Sequence, residues 1–307
     1  MSIVRVTTVQ LPALVRGSSF ADRQRRNRRT LLGALNTAGE RGSDLVLFGE
    51  YANLYHRTTS NNLREYRPDP VPGPLTRAVS AYAKKFRMYV ALPVFGVYRY
   101  VLSSFVVLID RKGEIMGCYQ KTHPTIDEQR KGIQKGEDIA VYHCDFGTIG
   151  IMTCMDIEYP EVAQVLMLRG ADVLLFPHVQ GSWGEVDWEI RYRARAVDTG
   201  LYVVSACYGY EQGEWTPGKM IGRSGFVGRD GFITGDLGRE IGLLTADLDL
   251  SRKRITHFFF DHSYDRTLAV RASRRPELYH DLVLERHTQE ALSQLKKEKK
   301  VKPAKIG

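Results

Sequence analysis

Three residues of complementary chemistry each follow a short apolar or β-branched run that is typical of a buried strand: Glu50 after residues 45–48, Lys121 after 115–119 and Cys154 after 148–153. Functional groups in α/β sheets collect where strands end, so these three side chains are expected to converge. Together they can hydrolyse an amide. The carboxylate accepts the thiol proton, the thiolate attacks the carbonyl carbon, and the ammonium with a backbone N–H stabilises the oxyanion.

The residues after Cys154 predict a turn from strand to helix. Pro160, with the acidic Glu158 and Glu161, is typical of a first helical turn, where a missing N–H has no consequence and negative charge suits the helix dipole. A thiol on such a turn is exposed near free backbone N–H groups. The alternative is that Cys154 is a small core residue.

The other two candidates also have ordinary structural interpretations. Glu50 is equally consistent with a surface ion pair, and Lys121 with a solvated cation in a loop. Only their mutual geometry distinguishes these interpretations from a catalytic one.

Composition limits the class of protein. The chain has 307 residues, of which 43% are hydrophobic and 26% charged, as in ordinary globular α/β proteins. No run approaches the ~18 apolar residues that span a membrane. The N-terminus alternates like a strand and lacks the apolar block of a signal peptide, so a cytoplasmic protein without a membrane partner is expected.

The net charge of +9 is concentrated in two segments. Residues 296–305 carry +5 and residues 22–29, with five arginines, carry +4, which together account for the whole excess. This distribution indicates a solvated tail and an exposed helix face. It argues against a basic groove for nucleic acid.

The sequence lacks the usual motifs for cofactors. Four cysteines are widely spaced without a C-x-x-C pair, and no H-E-x-x-H, P-loop or G-x-G-x-x-G occurs. Metal and nucleotide sites therefore have no motif to support them, and no cofactor is expected.

Helices and strands alternate in parts of the chain, and several hairpins are antiparallel, which predicts mixed sheets covered by helices. A helix capped by Asp22 and ending near Glu40, and another over 188–198, are predicted. Residues 51–74 and 121–138 are predicted as loops. The first of these is long enough to suggest that it covers a site.

Five motifs, in this order, make the chain resemble the nitrilase superfamily of carbon–nitrogen hydrolases along nearly its whole length: LVLFGE at 45–50, YQKTHPT at 119–125, GIMTCMDIEYPE at 150–161, RARAVD at 193–198 and RRPELY at 274–279. The resemblance implies an αββα four-layer sandwich with two mixed β-sheets. It also implies a metal-free site and a homodimer or larger homo-oligomer. Residues 1–280 are expected to form the hydrolase domain, and 281–307 a C-terminal helix with a basic, flexible tail.

The resemblance also implies roles for individual residues. Cys154 is the nucleophile, Glu50 the general base and Lys121 the oxyanion stabiliser, with the Met155 N–H completing the oxyanion hole. Water then releases a cysteine thioester. The family's second glutamate, which positions the lysine or the substrate, best matches Glu128.

Further positions are less specific. Asp127 competes with Glu128 for the auxiliary role. Tyr51, His178 and Trp183 are predicted to line the substrate pocket, with a core or surface position for His178 left open.

Two positions depart from the family pattern. Gly49 stands where proline is usual, which is expected to loosen the turn, and Asp198 stands where glutamate is commoner.

The residues after the nucleophile indicate the branch of the family. Nitrilases usually have Trp-Glu there, whereas Met155-Asp156 resembles the amidase-like and carbamoylase-like branches. A small amide is the predicted substrate. An N-carbamoyl compound, a nitrile, or a catalytically silent interaction module remain as alternatives.

Overall fold

The computed structural model describes residues 3–54, 68–252, 255–257 and 263–297. The chain forms two compact units, Met1–Thr267 and Leu268–Gly307. The expected division after residue 280 stays a prediction, and the tail at 298–307 lies outside the described residues. No helix in the described part is both long and apolar enough to cross a membrane.

The first sheet of the larger unit carries the strand ends before Glu50 and Lys121. Its eight strands are β1 (Ile3–Pro12), β2 (Leu45–Phe48), β3 (Asp69–Val71), β4 (Tyr89–Tyr98), β5 (Val101–Ile109), β6 (Ile115–Gln120), β11 (Tyr208–Gly209) and β14 (Gly242–Asp249). β1, β2 and β4 run parallel, whereas β4, β5 and β6 form antiparallel pairs and β14 is antiparallel to β1. The sheet is therefore mixed, as predicted.

The second sheet carries the strand end before Cys154. Its six strands are β7 (Val141–Cys144), β8 (Gly147–Ile151), β9 (Val173–Pro177), β10 (Tyr202–Ala206), β12 (Gly225–Val227) and β13 (Ile233–Asp236). β8 runs parallel to β9, and β9 runs parallel to β10. The pairs β7–β8, β10–β12 and β12–β13 are antiparallel. A separate two-stranded ribbon joins β15 (Ile255–His257) to β16 (Ser263–Asp265).

Alternating side chains join the two sheets face to face. In β2, Leu45 and Leu47 pack with Leu175 of β9 in a core between the sheets. Val46 and Phe48 of the same strand belong to the core that faces the helices. All four β2 side chains are fully buried, and each such residue contributes about 1.5–3 kcal/mol to folding.

Helices cover the outer faces, which gives the predicted αββα layers. They are α1 (Phe20–Glu40), α2 (Pro74–Phe86), α4 (Pro160–Leu168) and α5 (Glu185–Thr199), whereas the short helix α3 (Ile126–Arg130) buries none of its residues. α1 and α2 pack against each other, as do α4 and α5. Leu31 and Leu35 of α1 and Val162 and Leu166 of α4 are buried in the outer core.

Several boundaries differ from the sequence predictions. The N-cap of α1 is Ser19 rather than Asp22, and its hydroxyl accepts the Asp22 N–H at 3.1 Å. α5 begins at Glu185, three residues before the predicted start. Residues 121–138 contain the helix α3, and the predicted loop at 51–74 includes β3, while its residues 55–67 lie outside the described part.

The smaller unit contains the C-terminal helices. α6 (Arg266–Ala272) begins at the boundary, two short 3₁₀ turns follow at Pro276–Leu278 and His280–Val283, and α7 spans Glu285–Lys297. α7 lies within the segment 281–307 in which a C-terminal helix was expected, whereas α6 was not predicted.

Candidate active site

Cys154 opens onto a cavity of about 590 Å³. Its walls also include Met155, Glu158, Trp183 and Arg191. This volume lies within the usual range for small-molecule sites, roughly 300–1,000 Å³.

Glu50 lies at the carboxyl end of β2 and is fully buried. The Tyr208 hydroxyl donates to its carbonyl oxygen at 2.8 Å. A Cβ atom at Gly49 would lie 3.0 Å from the Cys207 carbonyl oxygen and 3.1 Å from Tyr208 Cε2. Glycine therefore leaves space for the tyrosine that holds the Glu50 backbone, so the predicted looseness of this turn is offset by Tyr208.

Lys121 follows β6 and connects two carboxylates. Its Nζ donates to Glu50 Oε1 at 2.9 Å and to Glu128 Oε1 and Oε2 at 3.0 and 2.9 Å. The Lys121 side chain is only 1% exposed. Burial lowers the pKa of Lys121, but the negative charge of Glu50, that of Cys154 when it is ionised and that of Glu128 outweigh burial and raise it well above its ordinary value.

Glu128 is fixed by a capping box at the start of α3. Its backbone N–H donates to Thr125 Oγ1 at 3.2 Å, and its own Oε2 accepts the Thr125 N–H at 2.6 Å. The Tyr51 hydroxyl donates to Glu128 Oε1. Burial raises the pKa of Glu128, but the Lys121 charge and these hydrogen bonds lower it further, so the net shift is downward.

Asp127, the alternative auxiliary acid, faces away from this group. Its side chain is 78% exposed and pairs with Arg130 at 3.2 Å. The geometry therefore favours Glu128 over Asp127 as the carboxylate beside Lys121.

Burial shapes the protonation of Glu50. It raises the pKa of Glu50 to about 7, although the Lys121 charge opposes the shift and the Cys154 thiol also stabilises the carboxylate. Glu50 Oε2 is buried and forms no hydrogen bond of standard geometry within the described residues. One carboxylate oxygen thus stays available as a proton acceptor close to the thiol.

Cys154 begins a 3₁₀ turn, Cys154–Glu158, which is separated from the end of β8 by two residues. Its φ of 49° lies in the left-handed region, which non-glycine residues rarely adopt. Burial and then the Glu50 charge raise the pKa of the thiol, whereas Lys121 lowers it. The thiol therefore rests protonated, with the Glu50 carboxyl group beside it.

A family model with the description "Carbon-nitrogen hydrolase" matches residues 5–257. The chain belongs to this family. The predicted membership of the nitrilase superfamily is confirmed, and the protein is a hydrolase acting on carbon–nitrogen bonds other than peptide bonds.

Two curated relatives illustrate the range of the family. A human deaminated glutathione amidase is 26% identical over 89% of this chain and 84% of its own length. An omega-amidase from Bos taurus is 26% identical over 72% of this chain and 82% of its own length.

Solved structures show the same fold. Nit3 of Saccharomyces cerevisiae, a member of branch 10 of the nitrilase superfamily, superposes with a TM-score of 0.69 at 20% identity, over 81% of this chain and 90% of its own. A mutant amidase from Nesterenkonia sp. AN1 gives a TM-score of 0.71 at 21% identity, over 91% of this chain and 97% of its own. That amidase carries the acetamide moiety of fluoroacetamide covalently on its active site cysteine.

The predicted pocket residues separate into three groups. Met155 and Trp183 line the cavity. Tyr51 lies outside the cavity lining, and its hydroxyl donates to Glu128. His178 is fully buried outside the cavity lining, where it stacks on Phe176 at 4.7 Å, and burial lowers its pKa to about 3.

Several residues that shape the site carry no clear signal in the sequence. No motif marks Tyr208 or Arg191, and Arg195 is marked only as part of the motif RARAVD. Arg195 donates to the Ile157 carbonyl oxygen at 2.8 Å and pairs with Asp198 at 3.3 Å, so Asp198 supports the 3₁₀ turn after Cys154. The Thr125-to-Glu128 capping box was the available local signal for α3.

Proposed function

We propose that the protein hydrolyses the C–N bond of a small amide through a thioester on Cys154. The observation that carries the proposal is the buried Lys121 ammonium, held 2.9 Å from Glu50 and 2.9 Å from Glu128 beside a thiol at the cavity wall. Buried ion pairs contribute little net stability, so a group of this kind is better explained by chemistry.

The first half-reaction forms the thioester. Glu50 accepts the thiol proton while the sulfur attacks the carbonyl carbon, and Lys121 with the Met155 N–H stabilises the resulting oxyanion. The tetrahedral intermediate collapses when Glu50 returns the proton to the amide nitrogen. The C–N bond breaks, and ammonia or an amine leaves.

The second half-reaction restores the enzyme. Glu50 removes a proton from water as the water oxygen attacks the thioester carbon, and that proton passes to the departing Cys154 sulfur. The products are a carboxylic acid and the free thiol. Because the pKa of Glu50 is about 7, this residue can both accept and donate a proton near neutral pH.

Glu128 acts through Lys121 in this proposal. Its two oxygens and the Tyr51 hydroxyl restrict the ammonium to one position, which favours stabilisation of charge as it develops.

The cavity wall favours a small neutral amide. Arg191 pairs with Glu158 at 3.0 Å and with Asp187 at 3.2 Å, so the Glu158 charge is already matched. Because Arg191 already pairs with Glu158, this carboxylate does not favour a cationic substrate. The relatives named as amidases support an amide substrate.

We also infer a homodimer or larger homo-oligomer. Trp183, Val186 and Ile190, at and within the start of α5, are 80%, 75% and 63% exposed. Together they form an apolar face of the kind that subunit contacts cover. Sedimentation of wild type and Ile190→Lys is expected to show loss of the assembly in the variant.

An ammonia-release screen over aliphatic amides, ω-amides, carbamoyl compounds and nitriles tests the activity. Cys154→Ala is expected to abolish release, whereas Cys144→Ala, at a half-buried thiol on β7, keeps it. Full turnover by Cys154→Ala contradicts the mechanism. A silent module is indicated if no substrate is found and iodoacetamide alkylates Cys154 no faster than Cys144.

A further inference from the structure

Asp156, two residues after Cys154, is fully buried and joins two parts of the chain that are distant in sequence. Its carboxylate is the centre of five short polar contacts: Thr153 N at 2.7 Å, Tyr119 OH at 2.5 Å, Thr122 Oγ1 at 2.9 Å, His123 N at 2.9 Å and His123 Nδ1 at 3.0 Å. Apart from Thr153, these partners are 33 to 37 residues away in the sequence.

The partners lie on both sides of Lys121 and directly before Cys154. Tyr119 belongs to β6 of the first sheet, and Thr122 and His123 follow it. Thr153 follows β8 of the second sheet. One carboxylate therefore bridges the two strand ends that carry the ammonium and the thiol.

We propose that Asp156 is a positioning residue that holds the Lys121 strand end against the Cys154 turn, and thereby sets the distance between ammonium and thiol. This inference rests on the proposed function of Cys154 and Lys121. Catalysis of this type is sensitive to small displacements, since a misplacement of about 1 Å lowers rates by about 10²-fold.

The hydrogen bonds also explain how a carboxylate is tolerated here. Burial raises the pKa of Asp156, but contacts with His123, Tyr119 and Thr153 lower it further, so the group stays ionised. Its facing groups are these residues and Thr122, and the His123 ring is itself stacked on Tyr159 at 3.9 Å. A buried charge with this many donors loses little by leaving water.

Asparagine at this position has the same shape but cannot satisfy both sides. Oδ2 accepts the Thr153 N–H, and Oδ1 accepts the His123 N–H. Whichever side the NH₂ group takes, it meets a backbone N–H donor that cannot reverse its role. Asp156→Asn is therefore expected to break the bridge at one of its two ends.

The test measures the rate at which iodoacetamide alkylates Cys154 at each pH between 6 and 10, together with kcat and KM for the best amide of the screen. Asp156→Asn is expected to lower kcat by about tenfold or more with KM nearly unchanged. It is also expected to lower the rate of alkylation at each pH, because the thiolate fraction falls. Among the charged groups that flank the thiol, which are Glu50, Glu128 and Lys121, Lys121 alone favours the thiolate, and the Val179 backbone N–H favours it as well.

Tyr119→Phe removes one contact of the bridge and is expected to change both readouts in the same direction by a smaller amount. Tyr192→Phe is the matched control, because Tyr192 is a buried tyrosine whose hydroxyl donates to the Gly225 carbonyl oxygen at 2.9 Å. It is expected to lower the melting temperature without changing the rate of Cys154 alkylation.

The proposal is overturned if Asp156→Asn folds and keeps both kcat and the alkylation profile. If Asp156→Asn does not fold, the Tyr119→Phe variant tests the proposal in its place. The proposal is then overturned if Tyr119→Phe gives the same kcat and the same alkylation profile as the control Tyr192→Phe. Failure of the proposed function gives a different result, since Cys154→Ala would then retain turnover.

Discussion

Lys121 Nζ lies 2.9 Å from Glu50 Oε1, and the two side chains are 1% and 0% exposed. The pair is the meeting point of β2 and β6, two strands of one sheet that are separated by β4 and β5. Glu128 supplies a second carboxylate to the same ammonium. The chemistry of the site therefore depends on how one cation is shared between two acids.

The pH dependence of activity is expected to follow Glu50. Because its pKa is raised to about 7, kcat/KM is expected to rise with pH through about 7 as the carboxylate forms. Initial rates of ammonia release between pH 5 and 9 measure this limb. A limb centred near the ordinary glutamate value of 4.5 would contradict the assignment.

The raised pKa of Glu50 also makes the free energy of unfolding decrease as the pH rises. Between pH 4.5 and 7 the folded protein keeps a proton on Glu50 that the unfolded chain has lost. The contribution of the protonated Glu50 carboxyl group to the free energy of unfolding is complete below pH 4.5 and is lost as the pH rises through about 7. Urea unfolding of wild type and Glu50→Gln is therefore expected to show wild type losing stability relative to the variant over this range.

Neutral variants of Glu128 and Asp127 distinguish which of the two is the auxiliary acid beside Lys121. The Glu128 charge raises the pKa of Glu50, so Glu128→Gln is expected to move the acid limb of kcat/KM to lower pH. It is also expected to lower kcat by about tenfold or more, because Lys121 loses a restraint. Asp127→Asn is expected to leave the acid limb and kcat unchanged. If Asp127→Asn changed them and Glu128→Gln did not, Asp127 rather than Glu128 would be the auxiliary acid.

Gly49 is expected to tolerate no side chain. The close Cys207 and Tyr208 atoms predict that Gly49→Ala lowers the free energy of unfolding by about 1–3 kcal/mol and lowers kcat by displacing Glu50. Gly33→Ala is the matched control on α1, where a Cβ meets nothing within 4 Å. It is expected to stabilise the protein by roughly 0.5–1 kcal/mol. Equal effects of the two changes in denaturant unfolding would argue against crowding at Gly49.

The backbone at Cys154 is expected to be strained. Its φ of 49° favours glycine, so Cys154→Gly is expected to be more stable than Cys154→Ala by about 1 kcal/mol. This reverses the usual order of the two residues in an ordinary helical turn. Thermal unfolding of the two inactive variants compares them directly, and a less stable glycine variant would show that the turn is relaxed.

Local periodicity determined much of the fold. The apolar residues of β2 and β8 predict buried strands because both faces of each strand meet a core, and the strand ends then mark Glu50 and Cys154 as candidates. Short elements such as β11 and the ribbon of β15 and β16 carry too few residues to show a period. α3 was not predicted, because it lies inside a polar segment, although its sequence contains a capping box.

The sequence by itself determined the types of reactive residue, the strands that precede them and, through the order of its motifs, the family. Only the tertiary structure decided that Glu128 rather than Asp127 meets Lys121, that Tyr208 occupies the space beside Gly49, and that Asp156 joins the two strand ends. These contacts cross 7 to 158 residues of chain. Hydrophobic patterning fixes which face of a strand is buried, whereas distances between strand ends, and the pKa shifts that follow from burial, exist only once the two sheets have packed together.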